Sequence, residues 1–177
     1  WLVCILLMGF CGMSITAGYH RLFSHKAYKA HPVLRLIFAL GGACALQNDV
    51  LHWASDHRRH HQFVDNNERD PYSAGRGFWF SHMGWLLRNY ESGGEDFSNV
   101  KDLQKDPIVL WQHRHYLSLV LLTNIGLPVL LGYLHGDIIA SLLLGGVLRL
   151  VLSQHATWLI NSIAHIWGRR TYSENNT

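Results

Sequence analysis

The run Asp56-His57-Arg58-Arg59-His60-His61 puts three imidazoles into one short stretch. On a helix, at about 100° per residue, positions 57, 60 and 61 fall at roughly 0°, −60° and +40°, on one face. Protonated, imidazoles so placed would repel; neutral, they forgo apolar contact. A metal ion resolves both difficulties, because neutral imidazole is the commonest protein ligand for zinc and iron. A solvated polar helix rich in His is the plain alternative. Two further motifs weigh against it. His20 and His25 close the segment Tyr19-His20-Arg21-Leu22-Phe23-Ser24-His25, and Asn161 and His165 lie four apart, on a common helical face. His20 and His25 pose a problem of their own: five apart, they point about 140° away from each other on a regular helix. They can serve one site only if the helix ends or bends between them.

The elements that must position these motifs are mostly apolar helices. Residues 1–19 carry no charge and are near the roughly 20 residues needed to cross a bilayer. A second uncharged stretch runs over about 116–134, with Pro128 as an expected kink, and a third over about 138–160, beyond the tight turn His135-Gly136-Asp137. Arg149, Gln154 and His155 interrupt the third stretch and should face protein or a cavity rather than lipid. The apolar segment 33–47 is short and contains Arg35, so it reads as a buried or interfacial helix. Residues 63–77 are polar, with Asn66-Asn67 and Asp70-Pro71 as turn signals. The aromatic run 77–87 suits a membrane interface. Residues 89–106 form a charged loop, and Asp106-Pro107 opens a helix through Trp111, His113 and His115.

The fold class expected is an all-α membrane protein, with transmembrane helices and a cytosolic helical His-rich cap, about residues 20–115, that holds a di-metal site. Thirteen His in 177 residues are a heavy excess, while a net charge of +3 without basic clustering excludes a nucleic-acid surface. All but three of the 15 Lys and Arg lie between positions 21 and 114, the exceptions being Arg149, Arg169 and Arg170. By the positive-inside rule the His-rich region faces the cytoplasm. Three clusters can then converge on that side: His20 and His25 below the first span, His57, His60 and His61 in the middle, Asn161 and His165 below the last. Cys4, Cys11 and Cys44 stand in apolar runs without a CxxC pair and read as small buried residues. A first residue Trp within an apolar helix, and a polar tail at 172–177, lead us to expect that the chain is a piece of a longer protein.

Six His and an Asn exceed the needs of one tetrahedral metal. A dinuclear site fits better, with non-haem iron the natural choice for oxygen chemistry among nitrogen ligands. A membrane zinc protease would want HExxH, which the sequence lacks. A heavy-metal transporter would place His or Cys within the bilayer rather than below it.

At this level of detail the sequence resembles the membrane fatty-acid desaturases of the stearoyl-CoA, or acyl-CoA delta-9, type. Residues 15–25, ending in His20-Arg21-Leu22-Phe23-Ser24-His25, match that family's first histidine box. Gln47-Asn48-Asp49-Val50, Trp53 and 56–61 match the second. Asp70-Pro71 and 77–85 match the segment that follows, and 157–165 match the exit of the last span. The matches run in order over nearly the whole of 1–177, read as a partial desaturase domain.

The resemblance implies two iron ions held by His20, His25, His57, His60, His61 and His165, with Asn161 binding through a water. It gives no ligand role to His31, His52, His82, His113, His115, His135 or His155. The family's third box, HxxHH, falls after the last residue of this chain. The implied reaction is oxygen-dependent removal of hydrogen from two adjacent methylenes, giving a cis double bond and water. Position alone selects the carbon. Two electrons come from an external donor such as cytochrome b5 or ferredoxin. Asn48, Trp53 and Trp158 are candidate substrate contacts. Cys4 and Met8 are candidates for the closed end of an acyl tunnel, since they share a helical face about 12–24 Å deeper than His20 at 1.5 Å per residue. The family's animal members carry Arg at the position of Ser55 and a basic pair at that of Arg88 and Asn89, so a fatty acyl-CoA and an acyl-lipid are both compatible substrates. A di-iron hydroxylase of the alkane or carotenoid type shares the boxes, although the Asn-Asp-Val, Trp and Gly-Phe-Trp-Phe segments favour a desaturase. A third reading is an inactive homologue that binds lipid, against which every His expected in this region is present.

Overall fold

A computed structural model describes residues 1–88 and 90–167; Asn89, Arg169, Arg170 and the polar tail, all used above, lie outside them. Every regular element among the described residues is a helix or a tight turn. The chain divides into two units. The first comprises Trp1–Ala54 with Val100–Gln154, the second Ser55–Asn99 with the segment from His155 onward.

In the first unit, α1 (Leu2–Met13) passes without a break into a π-helical stretch, Ser14–Ser24. Helix α2 (Pro32–Ala45) carries Pro32 at its first turn and is capped by His31, whose Nδ1 accepts from the Val33 N–H at 3.3 Å. The chain then turns through Leu46 and Asn48, both left-handed at φ 54° and 72°. The first turn of α3 (Val50–Gln62) follows, where the Asp49 Oδ1 accepts from the N–H groups of Leu51 (2.8 Å) and His52 (3.1 Å). The π-helical stretch lies directly against α2. A Cβ on Gly42 would fall inside the Tyr19 ring, so only glycine permits this approach.

After α4 (Phe78–His82), which belongs to the second unit, α5 (Pro107–Leu121) is capped by the Asp106 carboxylate, which also pairs with Arg35. It continues through a π-helical turn, Leu122–Gly126, into α6 (Leu127–His135). Pro128 has no N–H to offer Asn124. The kink expected there takes the form of this change in winding within one continuous helix. Gly136, at φ 86°, closes α6, and the Asp137 side chain caps α7 (Ile138–Ser141) by accepting from the Ala140 N–H at 2.9 Å. A π-helical Leu142–Leu148 leads into α8 (Arg149–Ile166).

Arg149 is fully buried, as its depth in an apolar helix demands. Its guanidinium donates to the Cys44 carbonyl (2.6 Å) and Asn124 Oδ1 (2.7 Å), and its Nε to the Gly145 carbonyl (3.0 Å). Gln154 likewise donates to the Ala45 and Leu46 carbonyls. Among the described residues, three helices are long and apolar enough to cross a bilayer: Leu2–Ser24, Pro107–His135 and Ile138–Ile166. Only 17–33% of each apolar window is buried, so most of this surface is turned outward, where lipid and not water would accept it. Their bounds exceed those expected: the second includes the helix from Pro107, and the first and third run on through His20 and His165. Helices α2 and α3, which meet at a sharp bend, would count as a fourth only if taken together as one broken span.

In the second unit, the remainder of α3 carries the central histidines and is laced to the loop that follows. Arg58 donates to the Asn99 carbonyl (2.7 Å) and Arg59 to the Ser92 carbonyl (2.9 Å). The buried Ser55 hydroxyl donates to the Asp96 carbonyl, and Asn99 Nδ2 to the Ser55 carbonyl at 2.9 Å. Arg76 lies over the rings of Phe80 (4.6 Å) and Tyr90 (5.1 Å).

Candidate metal centre

The π-helical winding of Ser14–Ser24 answers the problem set by His20 and His25. In such a helix each N–H bonds five residues back, and the His25 N–H donates to the His20 carbonyl at 3.0 Å. The two rings consequently lie 4.6 Å apart, edge to face. In place of the expected end or bend there is a local change of pitch, which brings i and i+5 together. The indole of Trp53 is 6.4 Å from the His20 ring and 5.8 Å from Tyr19. Asn48 accepts from the Tyr19 hydroxyl through its carbonyl (3.3 Å), and its side chain accepts from the Asp49 N–H. Cys4 is buried and Met8 half-buried on α1.

In the second unit the helical face of His57, His60 and His61 forms as expected. Ring centroids are 4.5 Å apart for His57 and His61, 5.5 Å for His60 and His61, and 6.4 Å for His57 and His60. His165, from α8, comes to 5.0 Å from the His60 ring, and Asn161 lies half-buried one turn earlier on the same helix. Trp158 does not join them: its ring packs on His82 (5.8 Å) and His155 (5.0 Å).

Two carboxylates that sequence reasoning missed stand behind these imidazoles. The fully buried Asp70 accepts through Oδ2 from His60 Nδ1 at 2.9 Å and from the Asp65 N–H at 2.8 Å. Asp65 in turn lies 3.3 Å, through Oδ2, from His165 Nδ1, while its Oδ1 accepts from the Ala74 N–H. The loop after α3 therefore folds so as to bring both carboxylates back beneath the histidines, with Asp65 itself left-handed at φ 58°. The sequence signal was Asp70-Pro71, read as a turn and as part of the family's segment after the second box.

This arrangement fits a metal. A carboxylate on one ring nitrogen fixes the tautomer and leaves the other nitrogen as the donor, the usual backing of metal-bound histidine. His57 and His61 meet Nε2 to Nε2 at 3.0 Å, so one of the two nitrogens must present a lone pair. Tyr72 stacks on His60 at 4.7 Å. Burial, reinforced by the charges of Asp56 and Asp70, holds its phenol well above the ordinary tyrosine range, so it stays neutral there. His82, outside the expected ligand set, is buried, with Nδ1 3.0 Å from Ser162 Oγ and Nε2 3.0 Å from His155 Nδ1. Burial and then the proximity of His155 depress its pKa, which suits a neutral, packed imidazole.

The family model described as fatty acid desaturase matches residues 1–177. The chain is 41% identical, over 98% of its length, to a probable acyl-CoA desaturase of Schizosaccharomyces pombe, of which it covers 36%. It is 41% identical over 97% of its length to a Delta(9)-fatty-acid desaturase of Caenorhabditis elegans, covering 52% of it. An acyl-CoA Delta12-desaturase of Acheta domesticus is 44% identical over 92% of the chain and is covered to 47%. The chain thus spans between about a third and a half of the length of these relatives. With the family model matched from end to end and the histidine boxes in their expected order, the chain belongs to the fatty acid desaturase family.

Proposed function

We propose that the protein is an oxygen-dependent fatty acyl desaturase, which introduces a cis double bond at Δ9 of a saturated acyl-CoA. The observation that carries this reading is the pair of carboxylate-backed imidazoles, His60 on Asp70 and His165 on Asp65. Hydrogen bonds of this kind orient an imidazole and raise its basicity toward a metal. In this reading His20, His25, His57, His60, His61 and His165 are iron ligands, and Asn161 holds a water. When bound, two iron ions supply the oxygen activation that lets hydrogen be taken from two adjacent methylenes. The side chains do the rest. Asp70 and Asp65 hold their imidazoles in one tautomer, and the neutral Tyr72 packs on His60. Trp53, whose ring is 6.4 Å from that of His20, and Asn48, which accepts from the Tyr19 hydroxyl, would border the acyl chain.

Acyl-CoA is the substrate class in the names of the yeast and cricket relatives. Ser55, where the family's animal members are expected to carry Arg, is committed to the loop at Asp96 and Asn99. Recognition of the CoA head group would therefore draw on other cations. Oxygen is the co-substrate, and a donor such as cytochrome b5 or ferredoxin would deliver the electrons. The concentration of Lys and Arg between positions 21 and 114 supports a cytoplasmic placing of the His-rich region in the membrane.

The test is product analysis. Full-length protein in membranes, given stearoyl-CoA, oxygen and a reducing donor, should yield a cis Δ9 acyl product. A hydroxylated product would support the hydroxylase chemistry instead, and iron-loaded protein that yields neither would sink the proposal.

A further inference from the structure

Two histidines with no part in the desaturase pattern, His52 and His113, meet on one carboxylate in the first unit. Asp49 Oδ2 lies 2.6 Å from His52 Nδ1 and 3.0 Å from His113 Nδ1. One ligand atom from each of the three residues falls within 4.8 Å of the others. The two imidazoles stack at 5.5 Å. We infer that Asp49, His52 and His113 form a binding site for a zinc ion that uses none of the histidines assigned to iron.

The division of labour within Asp49 is the first reason. Its Oδ1 is committed to capping α3, accepting from the Leu51 and His52 N–H groups. Its Oδ2 is directed at the two imidazoles, and the carboxylate is only 4% exposed. The second reason is preorganisation. His52 sits on the first turn of α3, whereas His113 comes from α5, and the residue beside it locks the two helices together. The fully buried Gln112 accepts from the Val50 N–H at 3.0 Å and donates to the Tyr19 hydroxyl (2.6 Å) and the Ala39 carbonyl (3.1 Å). All three donors are therefore held by a frame that needs no metal, as a precise site requires.

The donor set selects the ion. Two imidazoles and one carboxylate suit zinc, at about 2.0–2.2 Å from each ligand atom. Tetrahedral ligands at such distances lie roughly 3.3 Å apart. The spacings of His52 and His113 to Asp49 Oδ2, 2.6 and 3.0 Å, are shorter by about 0.7 and 0.3 Å, the contraction expected where shared protons stand in for a cation. On binding, both imidazoles would take the Nε2–H tautomer and turn the Nδ1 lone pair to the ion. The imidazoles are 25% and 35% exposed, so the ion has a route in and a water can take the fourth position. An ion held there would clamp the start of α3 to α5.

The test uses full-length, iron-loaded protein equilibrated with chelator-buffered Zn2+, with zinc and iron counted by mass spectrometry. Native protein should carry one zinc equivalent per chain that His52→Ala and His113→Gln both lose, with iron content unchanged in each. Gln at 113 can still donate a hydrogen bond to Asp49, so it separates metal binding from simple packing. His135→Ala, at the exposed end of α6, should retain the zinc. Co2+ in place of Zn2+ should give visible d–d bands in native protein and lose them in H113Q. Equal zinc in native, H52A and H113Q protein would overturn the inference. So would native protein that takes up no zinc, in which case Asp49 is a hydrogen-bonding hub only.

Discussion

Asp70 is fully buried, and one of its oxygens accepts from both the His60 ring and the backbone that carries Asp65. A single substitution there should loosen the backing of His60 and, through Asp65, that of His165. Asp70→Asn keeps the shape and removes the charge. We expect iron affinity to fall about 10–100-fold, the usual loss when a carboxylate behind a metal-bound histidine is changed. Iron per chain after dialysis against a graded chelator measures it, and undiminished iron would reduce Asp70 to a loop-former. The histidines themselves were legible in the sequence because helical periodicity places 57, 60 and 61 on one face without further knowledge. Asp70 was not. Its role depends on a ten-residue return of the chain, and no periodic signal reports where an irregular loop puts a carboxylate.

Among the elements, the π-helical stretch Ser14–Ser24 shows how far periodicity reaches. The spacing of His20 and His25 excluded a regular helix between them, yet it could not say whether the helix would end, bend or widen. Widening keeps the segment hydrogen-bonded while the rings approach, which matters in a helix continuous with an apolar span. The capping of α2, α5 and α7 by His31, Asp106 and Asp137 obeys local rules, and the turn at Gly136 was legible for the same reason. The packing of α4 on α8 through His82 was not legible, because it joins residues 80 apart in sequence. That contact carries a pH prediction. His82 has its pKa lowered by burial and by His155, so the unfolded chain binds the proton more readily than the folded one. The contribution is intact above the free imidazole value of about 6.5 and is lost as pH falls through the depressed folded value. Thermal unfolding in detergent should therefore show stability rising with pH across that window, less steeply in His82→Gln. Parallel profiles for the two proteins would show that His82 does not titrate on unfolding.

For the molecule as a whole, charge and hydropathy patterning disclosed three of the long helices, and buried polar contacts explain the Arg149 and Gln154 that interrupt the third. The acyl chain has to fit the same frame. If it runs from the metal ligands along α1, then Cys4 and Met8 lie near its far end, one buried and one half-buried. Met8→Trp should shift preference toward shorter saturated chains and Met8→Ala toward longer ones, with iron content unchanged. A series of acyl-CoA substrates of increasing length decides it; an identical length profile in both variants would assign Met8 to packing alone.

The central claim is that the histidines on α3 bind iron and that iron is what makes the protein a desaturase. Its most direct test is iron content and product formation measured together on full-length His60→Ala, with His115→Ala as the comparison, since among the described residues that imidazole bonds within its own helix, to the Trp111 carbonyl. Native protein and H115A should hold about two iron atoms per chain and form the unsaturated product. H60A should lose most of the iron and all of the product. Full iron and unchanged desaturation in H60A would contradict the claim outright.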